Sequence, residues 1–238
     1  MVKANKQQLA LLSLGVFPIC LGSILSYNAV DNSLSQLDKQ YISKYLVEVR
    51  SLPGKPTYED EVNFIRSVQH AVLSVAPDGE GIPFGQKREP RELYEVKLGS
   101  CFDRSRVIEK ILRYSGFDAR HVFMLSTEQV GSAIKAIMTV GVSSHAVTEV
   151  LTKKGWLVVD SNAQWVSTDA EGRPIFFQKM QYDIEHSVAI RWGTKPPSFI
   201  YAKPVIVIYG LYSRHGYFYP PYNVVPDINY GELLQNIL

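Results

Sequence analysis

The amino-acid sequence predicts an α+β fold, in which a helix that begins at a cysteine packs on an antiparallel sheet. Two stretches support this prediction. Residues 98–116 combine a cysteine near the start with apolar residues at helical spacing, and Gly116 suits a left-handed helix end. Residues 144–160 consist of two alternating, β-branched runs on either side of Lys153-Lys154-Gly155, which is typical of a hairpin.

The composition excludes several classes of protein. With 238 residues, 46% of them hydrophobic and 20% charged, the chain has an ordinary globular composition and can form one sizeable core. A net charge of +2 without a basic run argues against nucleic-acid binding. Two cysteines exclude a disulfide framework, since one of them lies in the N-terminal apolar stretch. We expect neither a metal nor another cofactor, because zinc-site spacings, calcium loops and phosphate-binding glycine loops are not found.

Residues 1–30 are predicted to form a membrane anchor. Lys3 and Lys6 precede a run that is apolar over residues 9–25, close to the roughly 20 residues that cross a bilayer. A cleaved signal peptide is the alternative, although Tyr27 is large where a cleavage site needs a small residue. The lysines predict a single-pass protein of the inner (cytoplasmic) membrane, with its domain facing the periplasm or exterior.

The chain after the anchor divides into a connecting segment, residues 31–56, and a domain, residues 57–238. The connecting segment is polar, with apolar residues at roughly helical spacing, and we expect a short helix there that lies against the domain. Thr57 and Asp60 resemble a capping box before an amphipathic helix. The loop over residues 77–90 leads to the cysteine and is expected to border a cleft.

The helix after residue 98 places Cys101 in or beside its first turn. Unpaired backbone N–H groups and the positive end of the helix dipole favour an anion there, so the position favours a thiolate. The helix has an apolar and a polar face, formed respectively by Val107, Ile108, Ile111 and Leu112, and by Asp103, Arg106, Glu109, Lys110 and Arg113.

The hairpin places a histidine and an aspartate at its open end. Since side chains alternate along a strand, His145 and Asp160 share a face only if the loop holds an even number of residues. Thr152 opposite Gly155, with a two-residue loop, meets this condition. Cysteine, histidine and aspartate can then act as nucleophile, general base and orienting group.

The motifs over residues 92–162 resemble the transglutaminase-like superfamily of cysteine enzymes. They are Gly-x-Cys at a helix start, Gly-Phe-Asp-Ala-Arg, His-Ala-Val-x-Glu-Val and Gly-Trp-Leu-Val-Val-Asp. The resemblance implies a transglutaminase-like, papain-like core in a membrane-anchored bacterial-type member, with Cys101, His145 and Asp160 as the catalytic triad. It leaves peptidase, amidase, acyl transferase and inactive members open, and it identifies no side-chain oxyanion donor.

The function that follows from the triad is that of an exported thiol enzyme, which cleaves amide bonds through a thioester on Cys101. We expect a protein or peptide substrate and contact with the membrane through the N-terminal segment. The alternative is a membrane-tethered binding or scaffold module with the same fold and no turnover. A thiol redox protein is disfavoured, because the soluble part lacks a second, resolving cysteine.

Three of the other histidines must be weighed as alternatives to His145. Cys101 also has an alternative role, that of a small buried core residue. We expect His70 to be a surface or packing residue and His121, within a strand over residues 120–125, to be structural. His215 is a rival base, but no following strand and carboxylate would orient it.

The remaining elements have weaker signals. We expect a helical insertion over residues 126–136, a turn at residues 169–172, a strand at residues 174–177 and a buried strand at residues 205–209. The aromatic tail, residues 212–223, is expected to pack across the domain as an irregular strap. Its alternative role is a cleft wall that contacts substrate.

Overall fold

A computed structural model describes residues 21–83, 86–139, 141–212 and 227–237. The helices are α1 (Gln36–Tyr45), α2 (Tyr58–Val75), α3 (Pro90–Val96), α4 (Cys101–Tyr114), α5 (Ala133–Met138), α6 (Phe177–Glu185) and α7 (Tyr230–Leu233), with 3₁₀ turns at Phe199–Ala202 and Leu234–Asn236. The strands are β1 (Ala119–Ser126), β2 (Ser144–Thr152), β3 (Gly155–Val159), β4 (Val205–Tyr209), β5 (Leu211–Tyr212) and β6 (Asp227–Ile228).

The main sheet is antiparallel and has four strands in the order β3-β2-β1-β4. Helices pack against it, so the α+β prediction is confirmed. In the β2–β3 hairpin Thr152 lies opposite Gly155, which leaves Lys153 and Lys154 as the loop. The predicted even loop length is therefore confirmed, and it sets which side chains of the two strands share a face.

Helix α4 lies at the centre of the fold, with its predicted apolar face in the main core. Val107, Ile108, Ile111 and Leu112 have no exposed surface. They belong to a cluster that also includes Ile65 and other residues of α2 and residues of β2 and β3. Helix α2 begins at the predicted capping box, where the Thr57 N–H donates to the Asp60 carboxylate over 2.7 Å.

The polar face of α4 is buried as well, which the alternation of apolar and polar residues did not predict. Charged groups from both ends of the chain pair with it. Lys110 Nζ lies 2.9 Å from the Asp38 carboxylate, and Arg113 Nη2 lies 2.7 Å from the Glu232 carboxylate. Because an unpaired buried charge is costly, these ion pairs tie both ends of the chain to the helix.

The segment over residues 31–56 contributes α1, and the expectation of a helix that lies against the domain is confirmed. Ile42 and Tyr45 of this helix are buried in the main core. The helix is capped by Ser35, whose N–H donates to the Asp38 carboxylate over 2.9 Å. Among the residues that the structure describes, no helix is long and apolar enough to cross a membrane. Most of the predicted anchor lies outside the described ranges.

Two predictions for the C-terminal half need correction. The strand predicted at residues 174–177 is wrong, because Phe177 begins α6, where its N–H donates to the buried Glu149 carboxylate over 2.8 Å. Pro174 pairs only in an isolated bridge with Thr168. The strand over residues 205–209 is present as β4, but it lies at the edge of the sheet and is mostly half-buried.

The remaining predictions for this half have mixed outcomes. The helix of the insertion, α5, begins later than expected, and the turn at residues 169–172 is confirmed by a hydrogen bond from Gly172 N–H to the Asp169 carbonyl oxygen. Of the aromatic tail, only Tyr212 is described. The rest of residues 212–223, with His215, lies outside the described residues.

Candidate active site

Cys101 is the first residue of α4 and carries a free, partly exposed thiol. The helix start is fixed by Asp103, whose carboxylate accepts hydrogen bonds from the Ser100 N–H over 2.8 Å and the Ser100 hydroxyl over 2.9 Å. This carboxylate therefore holds the residue before Cys101 in place. The first-turn N–H groups and the helix dipole then provide an electropositive environment at the thiol.

The loop that leads to the helix is pinned by the same carboxylate. Ile82 donates its N–H to Asp103 over 3.2 Å, and Arg88 forms a buried ion pair with it. Gly81 has a φ of 76°, and a side-chain Cβ at this position would lie 2.3 Å from an Asp103 carboxylate oxygen. Glycine is required there by both conformation and space. The loop expected to border the cleft is thus held beside the start of α4.

His145 and Asp160 meet at the open end of the β2–β3 hairpin. The Nε2 atom of His145 lies 3.0 Å from Oδ2 of Asp160, and both side chains are buried. The strand register explains the pairing. Thr148 lies opposite Val159, so His145 is diagonal to Asp160 and their side chains leave the hairpin on the same face.

The side chain of Cys101 lies close enough to His145 to act on the pKa of its ring. Because Asp160 occupies Nε2, the Nδ1 atom is the ring nitrogen left for the thiol. Burial alone would lower the pKa of His145, but the hydrogen bonds and charges of Asp160 and Cys101 outweigh it and raise the pKa to about 9. The imidazole is therefore protonated at neutral pH. The structure thus brings together all three residues of the predicted triad.

Both oxygens of the Asp160 carboxylate accept hydrogen bonds. Its Oδ1 accepts the N–H groups of Asn162 over 2.6 Å and Ala163 over 2.7 Å. Its Oδ2 accepts the Tyr201 hydroxyl over 2.5 Å in addition to His145. Burial would raise the pKa of Asp160, but the hydrogen bonds and the charge of His145 outweigh it and lower the pKa. Asp160 is therefore ionised and oriented toward the imidazole.

Two supporting residues were missed in the sequence. Gln69 on α2 donates to the main-chain oxygens of Asp160 over 2.7 Å and Trp165 over 2.8 Å. Its position, on the apolar side of α2 between Val68 and Val72, was a signal that could have identified it. Tyr201 lies in the 3₁₀ turn, where no periodic pattern marks it.

The other described histidines lie apart from the triad. His121 is fully buried in β1, stacks on Tyr212 at 4.1 Å, and its Nδ1 lies 3.2 Å from the Ser105 hydroxyl. Burial lowers the pKa of His121 to about 4, so its ring is neutral. His70 is exposed and contacts Gln164. Within the described ranges, no group of three or more metal-binding side chains is close enough to hold an ion.

Comparison with known proteins supports the predicted superfamily. Residues 56–161 match the family model described as the transglutaminase-like superfamily. The matched range includes Cys101, His145 and Asp160. No curated protein and no solved structure matches the chain. Residues 56–161 therefore resemble a domain of the transglutaminase-like superfamily.

Proposed function

We propose that this protein is a thiol enzyme that acts on carboxamide bonds through a thioester on Cys101. The observation that supports this most directly is the position of His145, which hydrogen-bonds the Asp160 carboxylate over 3.0 Å and lies close enough to Cys101 for that side chain to act on its pKa. A nucleophile, a base and an orienting group in this arrangement form an activated nucleophile. The partial exposure of Cys101 leaves the thiol within reach of a substrate.

The first half of the reaction forms the acyl-enzyme. The Cys101 thiolate attacks the carbonyl carbon of the amide, and the Sγ–C bond forms as the carbonyl oxygen becomes an oxyanion. The N–H of Cys101, the first residue of α4, then donates to that oxyanion. When the C–N bond breaks, the His145 imidazolium gives its proton to the departing amine or ammonia, which leaves a thioester and a neutral imidazole.

The second half releases the acyl group. The neutral His145 accepts a proton from water or from an acceptor amine as that nucleophile attacks the thioester carbonyl. The C–S bond then breaks, which restores the thiolate and the imidazolium. Water yields hydrolysis, as in a peptidase or amidase, and an amine yields acyl transfer. Asp160 holds the ring in one orientation in both halves and stabilises the positive charge on it.

We also propose that the domain works outside the cytoplasm on protein or peptide substrates, tethered by the N-terminal segment. Lys3 and Lys6 before the apolar run support this orientation. The proposal places the protein as a single-pass component of the cytoplasmic membrane.

The test uses the purified full chain with a glutamine-containing protein and a fluorescent primary amine. Ammonia release with incorporated amine indicates acyl transfer, and ammonia release or new peptide termini without incorporation indicates hydrolysis. Brief acid quenching followed by mass spectrometry should locate the acyl group on Cys101. The control is Cys101→Ala, which should abolish product and adduct.

The competing function, a binding module without turnover, makes a different prediction. Such a protein forms no acyl adduct on Cys101, and Cys101→Ala leaves its binding to a captured partner unchanged. A parent protein with no adduct across a panel of amide and peptide substrates, at pH values from about 6 to about 9, would refute the proposed enzyme.

A further inference from the structure

Tyr201 and His145 both form a hydrogen bond with the same carboxylate oxygen of Asp160. The Tyr201 hydroxyl lies 2.5 Å from Oδ2 of Asp160, the atom that also accepts the His145 Nε2 bond over 3.0 Å. Tyr201 lies beyond residues 56–161, the part of the chain that matches the superfamily model. It therefore reaches the site from a part of the chain for which the match supplies no role.

The surroundings of Tyr201 fix its hydroxyl in this position. Its side chain is 1% exposed and packs against Trp165, with the ring centroids 4.7 Å apart, and against Phe177, with the ring centroids 6.2 Å apart. The Tyr201 and His145 rings are nearly perpendicular, with their centroids 6.2 Å apart. Burial, followed by the charge of Asp160, raises the pKa of Tyr201 well above its usual range, so the phenol stays protonated and donates its hydrogen bond.

We infer that Tyr201 is a positioning residue, whose hydroxyl competes with His145 for Oδ2 of Asp160 and so limits how strongly the carboxylate holds the imidazolium. The inference rests on the proposed function, in which His145 must release its proton to the leaving group. A carboxylate that accepts more hydrogen bonds is a weaker base, and a weaker base stabilises the neighbouring imidazolium less. An imidazolium whose pKa is closer to the working pH is a better general acid.

The groups that act on His145 are few among the described residues. Cys101 faces it from α4, Asp160 from the end of β3 and Tyr201 from the 3₁₀ turn. Cys101 and Asp160 both favour the protonated ring. Tyr201 is the one member of this set that draws charge away from the Asp160 oxygen. Removal of its hydroxyl should therefore raise the titration midpoint of His145.

The experiment is an NMR titration of ¹³C-labelled histidine in the full chain, with the His145 signal assigned by its loss in His145→Ala. In Tyr201→Phe, which keeps the packed ring, the His145 midpoint should rise by about half a pH unit. The matched control is Tyr45→Phe. Tyr45 is also buried, and its hydroxyl donates to the Pro90 carbonyl oxygen over 3.2 Å, away from the triad. This control should leave the midpoint unchanged.

A second variant strengthens the hydrogen bond of the Tyr201 hydroxyl instead of removing it. Site-specific replacement of Tyr201 by 3-fluorotyrosine makes the phenol a stronger donor at nearly constant volume, and the His145 midpoint should fall. This variant decides the question if Tyr201→Phe does not fold. A midpoint that is unmoved in both variants, or that falls in a folded Tyr201→Phe protein, overturns the inference.

The titration needs no substrate, so its outcome is separate from that of the proposed function. If the protein forms no acyl adduct, but the two Tyr201 variants shift the His145 midpoint in opposite directions, the coupling of Tyr201 to His145 stands and the proposed enzyme is refuted. If the protein forms the adduct on Cys101, but neither variant shifts the His145 midpoint, the proposed enzyme stands and the role of Tyr201 is refuted.

Discussion

Gln69 donates a hydrogen bond to the main-chain oxygen of Asp160 over 2.7 Å, although 91 positions separate the two residues. The same amide nitrogen lies 3.0 Å from the Ala163 oxygen and 2.8 Å from the Trp165 oxygen. One buried side chain of α2 therefore fixes the loop that carries the orienting carboxylate.

Replacing Gln69 by leucine should destabilise the fold and loosen the site. The buried Asp160 oxygen would lose this donor, while the Trp165 oxygen would keep the Asp160 N–H. An unsatisfied buried group costs about 1–3 kcal/mol. We expect the free energy of unfolding, measured with urea, to fall by about 2 kcal/mol or more. Gln164→Leu is the control, because Gln164 is exposed and should change stability by less than about 0.5 kcal/mol. Equal stability of both variants would show that Gln69 is not an anchor.

The reactivity of Cys101 tests the proposed ion pair between its thiolate and the His145 imidazolium. We expect Cys101 to react with iodoacetamide at about pH 6, where an ordinary thiol of pKa about 8.5 is mostly protonated. His145→Ala removes the counter-charge and should slow alkylation at this pH on the order of tenfold. Asp160→Ala acts through the imidazole and should have a smaller effect. The measurement is the alkylation rate against pH, with folding checked by circular dichroism.

The histidine controls for that profile separate the rival bases. His186→Ala changes an exposed ring and should leave the alkylation profile unchanged. If the alkylation profile responds to His215→Ala rather than to His145→Ala, the proposed thiol enzyme stands, but its base is His215. A parent midpoint near about 8.5 that His145→Ala does not move would return Cys101 to an ordinary structural cysteine.

Two glycines with matching backbone angles test how tightly the loop is held at α4. Gly81 has a φ of 76° and Gly172 a φ of 75°, but only at Gly81 would a Cβ overlap Asp103. Gly172→Ala should cost about 1–2 kcal/mol from backbone strain alone. Gly81→Ala should cost about 1–3 kcal/mol more, and the displaced Asp103 should also slow alkylation of Cys101. Equal losses in urea unfolding would mean that the loop adapts without disturbing the helix start.

A buried carboxyl makes stability depend on pH. The Tyr212 hydroxyl lies 2.9 Å from Glu109 and 3.0 Å from Glu232, and its one proton can satisfy only one of them. Burial, followed by the charge of Glu109, raises the pKa of Glu232 to about 8. The folded state binds the Glu232 proton more tightly than the unfolded state does. The stability that this proton contributes is therefore complete below about pH 4.5 and is lost as the pH rises through about 8.

We therefore expect the free energy of unfolding to fall by up to about 1.4 kcal/mol per pH unit from Glu232. The slope from Glu232 is read as the difference between the parent and Glu232→Gln over about pH 5 to 6.5. In this window His121, whose pKa is lowered to about 4, contributes an opposing rise, and His145 contributes a fall only above its unfolded pKa of about 6.5. Glu232→Gln should remove the fall that Glu232 contributes in this window. Glu80→Gln, at an exposed carboxyl, should not. An unchanged slope in Glu232→Gln would assign the proton elsewhere.

The proposed topology has its own measurement. With the lysines inside, protease added to right-side-out cells with a permeable outer layer should digest the domain. A domain that is protected in such cells, but cut after membrane lysis, would reverse the orientation. A mature N-terminus near Val30 would instead establish a cleaved signal peptide.

The parts that the sequence predicted are those with local signals. The period of α4, the alternation of β2 and β3 and the two-residue turn all depend on residues that are neighbours in the chain. The register of Thr152 with Gly155 then determined which face His145 and Asp160 share. The close approach of these two side chains could therefore be predicted before any tertiary contact was known.

The parts that it missed depend on distant partners. Lys110 pairs with a carboxylate 72 positions earlier, and Arg113 with one 119 positions later, so no window of sequence reveals these partners. The strand expected at residues 174–177 failed for the same reason, because Glu149 on β2 accepts the first N–H of α6. Tyr201 likewise reaches Asp160 from a turn that has no periodic pattern.

The buried polar face of α4 sets an order for folding during synthesis. Arg113 and the Tyr212 hydroxyl have no carboxylate of Glu232 to contact until that residue has left the ribosome. The main-chain pairing of Val30 with Ile228, over 2.8 Å, must wait equally long. Helix and hairpin can form earlier from local contacts, and Lys110 and Arg113 can already pair with Asp38 and Glu109, but the contacts of α4 with Glu232 form only then. The nascent chain therefore keeps one side of α4 open until Glu232 has been made.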